Sequence, residues 1–206
     1  MIHEEKIQVV DEHTGEPTGE IVPRKEIFER NLWCRTTNIF ILNKEGQVLC
    51  QKRSSNKERF PGVWITHFGG HVTEGESFRI NAVKEVEEEL GLLIPMFQMI
   101  PWRTSCKIES RIWTRDFVTV YNGPLEKLII QKSEVDHIEW YSPAEILNHI
   151  ENKLLPEWIT ELSGFHEFRE DYQCLRAVLT ACLDIGIFGG PFIQLKNWHP
   201  EDIQAL

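Results

Sequence analysis

Residues 70–92 read GHVTEGESFRINAVKEVEEELGL, and a strong helical pattern runs through their centre. It extends from about residue 77 to residue 90 and stops at Gly91, a residue suited to the left-handed position just past a helix. At about 100° per residue, Ile80, Val83, Val86 and Leu90 fall in one sector and are expected to face a core. Glu85, Glu88 and Glu89 stand in i, i+3, i+4 relation on a different face, roughly opposite, while Glu87 points to the flank.

Carboxylates so placed repel one another, by a few tenths of a kcal/mol per exposed i,i+4 pair. They also crowd the C-terminal end of the helix, where its dipole disfavours anions. A solvated acidic face is one reading. The other is a compensating cation. Mg²⁺ or Mn²⁺ prefers carboxylate oxygens and keeps several waters, which leaves room for substrate phosphates.

Strand signals surround this helix. Residues 7–10 read as a short strand, followed by the turn-rich DEHTGEPTGE, and residues 23–30 suit a short helix. Residues 37–42 and 47–52 are β-rich runs separated by NKEG, a hairpin signal with Gly46 in the turn. Further strands are expected at residues 63–68, 93–103, 108–120 and 135–141, and Ser142-Pro143 opens a helix. Strands interleaved with helices indicate an α/β class with a mixed sheet. Past residue 150, Phe168, Tyr172, Leu175, Leu179 and Cys182 recur at helical spacing. Residues 1–150 are therefore expected to form the main domain. Residues 151–206 would form a helical extension packed on it, or a homodimer contact.

The chain has 206 residues, 41% hydrophobic and 26% charged, an ordinary globular mixture. Its formal net charge of −10 argues against a protein that grips a nucleic-acid polymer, which would need a basic stripe. An acidic protein with an anionic substrate must handle it locally, through a divalent cation or a few placed Arg and Lys residues. The five cysteines form no CxxC pair and their number is odd, so neither a disulfide framework nor a zinc site is expected. No positively charged start or apolar signal core opens the chain, and no run approaches the ~20 apolar residues that span a bilayer. A cytoplasmic location away from membranes is the expectation.

Residues 70–92 resemble the Nudix box: Gly, five residues, Glu, seven residues, Arg-Glu, an aliphatic, any residue, Glu-Glu, any residue, Gly, an aliphatic. Gly70, Glu76, Glu85, Val86, Glu88, Glu89, Gly91 and Leu92 match, and Lys84 stands where the box has Arg. The resemblance implies a Nudix-like α/β/α sandwich with a mixed β-sheet. It also implies that Glu85, Glu88 and Glu89 are metal ligands for Mg²⁺ or Mn²⁺, and that one of them helps to activate water. Gly70, Glu76, Lys84 and Gly91 then frame the catalytic helix, with Lys84 keeping the charge but not the two-pronged contact of Arg. The implied activity is water attack at phosphorus in a small diphosphate compound, such as a nucleoside diphosphate derivative.

Upstream, VVDEHTGEPTGEIVPRKE and FILNKEGQVLCQKRSSNKERFPGVW resemble the branch that includes isopentenyl-diphosphate isomerase. In that branch a basic loop before Pro-Gly-x-Trp contacts the diphosphate. Arg53 and Lys57 match it, and Arg24 is a further substrate-binding candidate. The isomerase's catalytic cysteine precedes the box Gly-His pair, where this chain has Gly69. Of the isomerase's metal-binding histidines His71 matches one, but Cys34 and the segment around Ile27 stand at two other positions. Hydrolysis is thus better equipped than isomerisation. A non-catalytic diphosphate-binding domain is a third reading, which the intact glutamates oppose. Glu134 is a candidate general base from a distant loop. Of Trp64, Phe68 and Trp102, which could stack on a substrate, at least two are expected in the core.

Overall fold

The computed structural model describes residues 5–152, so the expected helix through Phe168 and Cys182 lies outside the described residues. A six-stranded mixed sheet forms the centre. It is built from β3 (Cys34–Leu42), β4 (Val48–Arg53), β5 (Trp64–Ile65), β6 (Ile100–Lys107), β7 (Ile112–Val120) and β8 (Val135–Tyr141). The order is β5-β4-β3-β7-β6, with β8 also paired to β4. A separate antiparallel pair, β1 (Lys6–Val10) and β2 (Pro17–Pro23), leads into α1 (Arg24–Glu29). The long helix α2 spans Phe78–Leu90, and α3 runs over Pro143–Asn152.

β3 lies at the centre because both of its faces are apolar. Ile39 and Ile41 join Ala82, Val86 and Leu90 of α2 in the main core, together with Phe68, Phe117 and Ile138. Phe40 and Leu42 pack with Val118, Val120 and Trp102 on the opposite face. A third cluster, Ile7, Val9, Val22, Ile27 and Cys34, joins the β1–β2 pair and α1 to the start of β3.

The expected hairpin is only partly realised. Gly46 does turn with φ 77°, but β3 and β4 share the single register pair Leu42↔Val48. Each strand finds a longer partner elsewhere. β3 runs parallel to β7 over nine register pairs, and β4 runs antiparallel to β8. The strand expected at residues 63–68 shrinks to β5, after which Phe68 exchanges two backbone hydrogen bonds with Ile39. Pro95 and a 3₁₀ turn at Met96–Gln98 delay β6 to Ile100. A turn at residues 108–111 delays β7 to Ile112. β2 emerges from the stretch read as turns, because the side chain of Asp11 organises the turn within four residues.

α2 begins and ends where its sequence says. The Ser77 side chain accepts a hydrogen bond from the Ile80 amide, and Gly91 closes the helix in the left-handed region at φ 63°. Val86 and Leu90 are buried and Val83 packs against the core, as expected, but the helix is turned part-way from the expected orientation. Ile80 is 45% exposed, whereas Asn81, Ala82, Val86, Glu89 and Leu90 are buried. The acidic row is therefore not opposite the core: its inner edge is turned under the helix. The helix is rotated because Asn81 is held by groups beneath it, as described below. Ile80→Ser is expected to change stability by no more than about 0.5 kcal/mol, and Val86→Ala to cost about 2 kcal/mol, in denaturant unfolding.

Candidate active site

Asn81, Glu85 and Glu89 follow one another at i, i+4, i+8 along the buried side of α2. Asn81 is fully buried and holds the site together. Its Nδ2 donates to the His71 carbonyl at 3.0 Å, Glu76 Oε2 at 3.2 Å and Glu85 Oε1 at 3.3 Å, and its Oδ1 accepts from Thr37 Oγ1 at 2.6 Å. One side chain thus ties β3, the loop before the helix, and the first of the three glutamates.

Gly70 leaves room for a carboxylate. A Cβ there would lie 2.6 Å from Glu85 Oε1, so the bare backbone makes room for the carboxylate. Burial, then the neighbouring Glu88, raises the Glu85 carboxyl to about 7. Glu89 is 6% exposed, and burial, then Glu85 and Glu134, push its carboxyl well above the usual range. Gln51 Nε2, itself buried, donates to Glu89 Oε2 at 3.3 Å. Glu88 stands apart at the rim, half exposed, with Lys84 Nζ at 3.9 Å. Among the described residues no three His, Cys, Asp or Glu side chains form a ready-made cation cage. Desolvated, mutually repelling carboxylate oxygens nonetheless suit a hard cation. Mg²⁺ typically takes one or two protein carboxylates and completes its shell with waters and substrate phosphates.

The remaining box residues frame this row. Lys84 pairs with Glu76 Oε1 at 3.2 Å, and hydrogen bonds from Thr73, Asn81 and Lys84 outweigh burial and hold the Glu76 carboxyl below its ordinary value. Lys84 therefore takes over the bridge to Glu76 with one ammonium.

Glu134 is brought to the same place from the loop before β8. It forms an ion pair with Lys57, and both act electrostatically on Glu89. Arg53 lies in the field of Glu89 and Glu134. Its Nη2 donates to the Arg59 carbonyl at 3.1 Å, while its buried Nε has no partner. Arg24 is held by Glu5 at 2.7 Å, yet it acts on both His71 and Arg53. Carboxylates on one side thus face a basic loop on the other. Asn81, Gln51 and Arg59 were not singled out from sequence. For Asn81 the available signal was its helical spacing from Glu85 and Glu89.

Trp64 and Phe68 are buried, as expected of at least two of the three aromatic candidates, and Trp102 packs edge-on against Phe40. The positions that supply histidines in the isomerase are filled differently here. Ile27 and Cys34 lie in an apolar cluster, and burial pushes the Cys34 thiol up to about 12. His71 meets Phe28 edge-on at 5.7 Å, its buried Nε2 has no partner, and burial lowers its pKa to about 3. Gly69 has φ 126°, and a Cβ on it would lie 2.2 Å from the Thr37 carbonyl oxygen. A cysteine cannot stand there without moving β3.

A match to the NUDIX domain covers residues 32–162. The chain is 32% identical over 139 residues to an uncharacterised Nudix hydrolase of Pseudomonas aeruginosa, covering 68% of this chain and 79% of that protein. It is 25% identical over 150 residues to an isopentenyl-diphosphate Δ-isomerase of Photorhabdus laumondii, covering 72% and 84%. The crystal structure of DR0079 from Deinococcus radiodurans superposes with a TM-score of 0.62 at 23% identity, over 72% of this chain and 90% of that one. The chain belongs to the Nudix family and is an enzyme of the Nudix hydrolase type.

Gly69→Cys is expected to cost about 3 kcal/mol or more, from a disfavoured φ and a backbone clash together. Any folded fraction should exchange no solvent deuterium into isopentenyl diphosphate. A stable, exchanging variant would contradict this geometry.

Proposed function

We propose that this chain hydrolyses a phosphoanhydride bond in a small diphosphate compound, using Mg²⁺ or Mn²⁺ held by Glu85 and Glu89, with Glu88 at the rim of the same row. The observation that carries the reading is the partly buried Glu85 beside the buried Glu89, facing Arg53 and the Lys57–Glu134 ion pair. Burying like charges without compensation is costly, and a divalent ion removes that cost. A bound cation there would neutralise the diphosphate and lower the pKa of an attacking water.

The chain's own groups do the rest. Arg53 presents its unpartnered Nε to a phosphate oxygen, a charge-assisted contact that fixes the diphosphate. Lys57 is drawn to the same anion and in doing so loosens its hold on Glu134. Glu88, open to solvent at the rim, is assigned the proton from water, with Glu134 as the alternative acceptor once Lys57 moves. Arg24 adds charge at longer range. The tie from Lys84 and Asn81 to Glu76 keeps α2 fixed while these groups work.

Glu85→Gln, Glu88→Gln and Glu89→Gln are each expected to lower kcat by about 10²–10⁴-fold in a phosphate-release assay over a panel of diphosphates. In the wild type Mg²⁺ or Mn²⁺ should raise Tm, because it binds the folded state, and Glu89→Gln should abolish that rise without unfolding the metal-free protein. Retained activity in all three variants would remove the assignment. Lys84→Ala is expected to reduce kcat about tenfold and Lys84→Arg to preserve it, since Arg restores a stronger bridge to Glu76. Equal losses in both would show that the bridge does not matter.

A further inference from the structure

A cavity of about 280 Å³ opens beside the basic loop, between the end of α1 and the turn joining β6 to β7. Phe28, Asn31, Leu32, Arg59, Glu109 and Arg111 are among the residues that line it. A chain of contacts through His71 and Asn81 links its lining to the carboxylates. Phe28 meets His71 edge-on, and the His71 carbonyl binds the Asn81 side chain that also touches Glu85.

Arg59 is the distinctive group. Three cations, Arg24, Arg59 and Lys57, act on His71. Arg24 is neutralised by Glu5 and Lys57 by Glu134. Among the described residues the Arg59 guanidinium has no acidic partner. Its carbon lies 4.2 Å from the centre of the Phe28 ring. Stacking on an aromatic face orients a guanidinium yet leaves its in-plane donors open, which is the arrangement that grips a phosphate. Arg111, across the cavity, is anchored by one nitrogen to the Asn31 carbonyl, and its other donors remain for a ligand. Glu109 offsets one of the two charges, so the cavity keeps a net positive balance.

The backbone turns sharply at the same place. Among the described residues the non-glycine positions with left-handed φ are Asn31 (52°), Phe60 (52°) and Arg111 (56°). Asn31 and Arg111 line the cavity, and Phe60 directly follows Arg59. Asn31 closes α1, with its amide on the Phe28 carbonyl and the Leu32 amide on the Ile27 carbonyl, and Arg111 closes the turn begun at Ile108, so local turns set these two lining positions.

From these observations we infer that the cavity is a subsite for a second anionic group, a phosphate monoester at the non-reacting end of the diphosphate substrate, gripped by Arg59 and Arg111. This rests on the hydrolase reading and deepens it: the substrate class becomes diphosphates that carry a distal phosphate. Arg53 and Lys57 hold the diphosphate, and Arg59, two residues further along the same loop, receives the far end.

Two matched pairs test it, coenzyme A against dephospho-coenzyme A and NADPH against NADH, each differing by one distal phosphate. With Mg²⁺ or Mn²⁺, kcat/KM should favour the phosphorylated member of at least one pair by about tenfold or more. In Arg59→Gln, and separately in Arg111→Gln, that ratio should collapse towards one. Arg59 is exposed, so its variant stays informative if loss of the Arg111–Asn31 tie unfolds the second. A ratio near one in the wild type, or a ratio that survives Arg59→Gln, overturns the subsite. A loss that is equal for both members also overturns it, placing Arg59 at the diphosphate itself. Turnover of other diphosphates without either pair would overturn the subsite and leave the hydrolase reading standing. No turnover of any diphosphate would sink both.

Discussion

Everything in this site follows from the cost of placing the buried Glu89 carboxylate beside the partly buried Glu85 along one side of a helix. Burial and mutual repulsion both push their carboxyls towards the neutral form. The surroundings are arranged to tolerate the pair rather than to dissipate it. Asn81 donates to Glu85 and Gln51 to Glu89, while Gly70 gives up its side chain so that Glu85 has room. Lys57 and Arg53 contribute positive charge from the loop opposite. A protein selected only for stability would replace this pair by apolar residues. The proposed cation and anionic substrate would relieve that cost.

Packing elsewhere in the site bears on isomerase chemistry. The fold shares its sequence pattern with an isopentenyl-diphosphate isomerase relative, but the two features that chemistry needs have been closed off. Gly69 adopts a φ and a packing against Thr37 that exclude any side chain. Ile27 and Cys34 have joined an apolar cluster, leaving the His71 ring against Phe28 with no polar partner on Nε2. The α2 carboxylates, by contrast, are intact. This packing is what favours the proposed water attack at phosphorus over proton transfer at carbon.

Much of this was legible in the chain itself. The α2 limits, Ser77 to Gly91, follow from a capping serine and a left-handed glycine, both of which act within one helical turn. β8 matches its expected span, and the mixed α/β class holds. Box spacing singled out Glu76 and Lys84, which do pair, and the basic-loop resemblance singled out Arg53 and Lys57, which do face the carboxylates. These features are fixed by neighbours in sequence, or by a motif whose residues lie on one helix and its flanking loops.

What only the tertiary structure decided is the rotation of α2 and the partners brought from afar. Hydrophobicity alone turns Ile80 inward with Val83, Val86 and Leu90, and the last three do meet the core. Asn81, held by Thr37, the His71 carbonyl and Glu76, takes an inner position that leaves Ile80 exposed and Glu89 buried. The parallel register of β3 with β7 and the meeting of Glu134 with Lys57 join residues more than seventy positions apart. Arg59 became notable only once Phe28, Asn31 and Arg111 were found around it. Short-range order is written in spacing and caps because those forces act within a turn. Long-range contacts depend on how whole faces are buried together, and a single sequence leaves several such burials nearly equal in free energy.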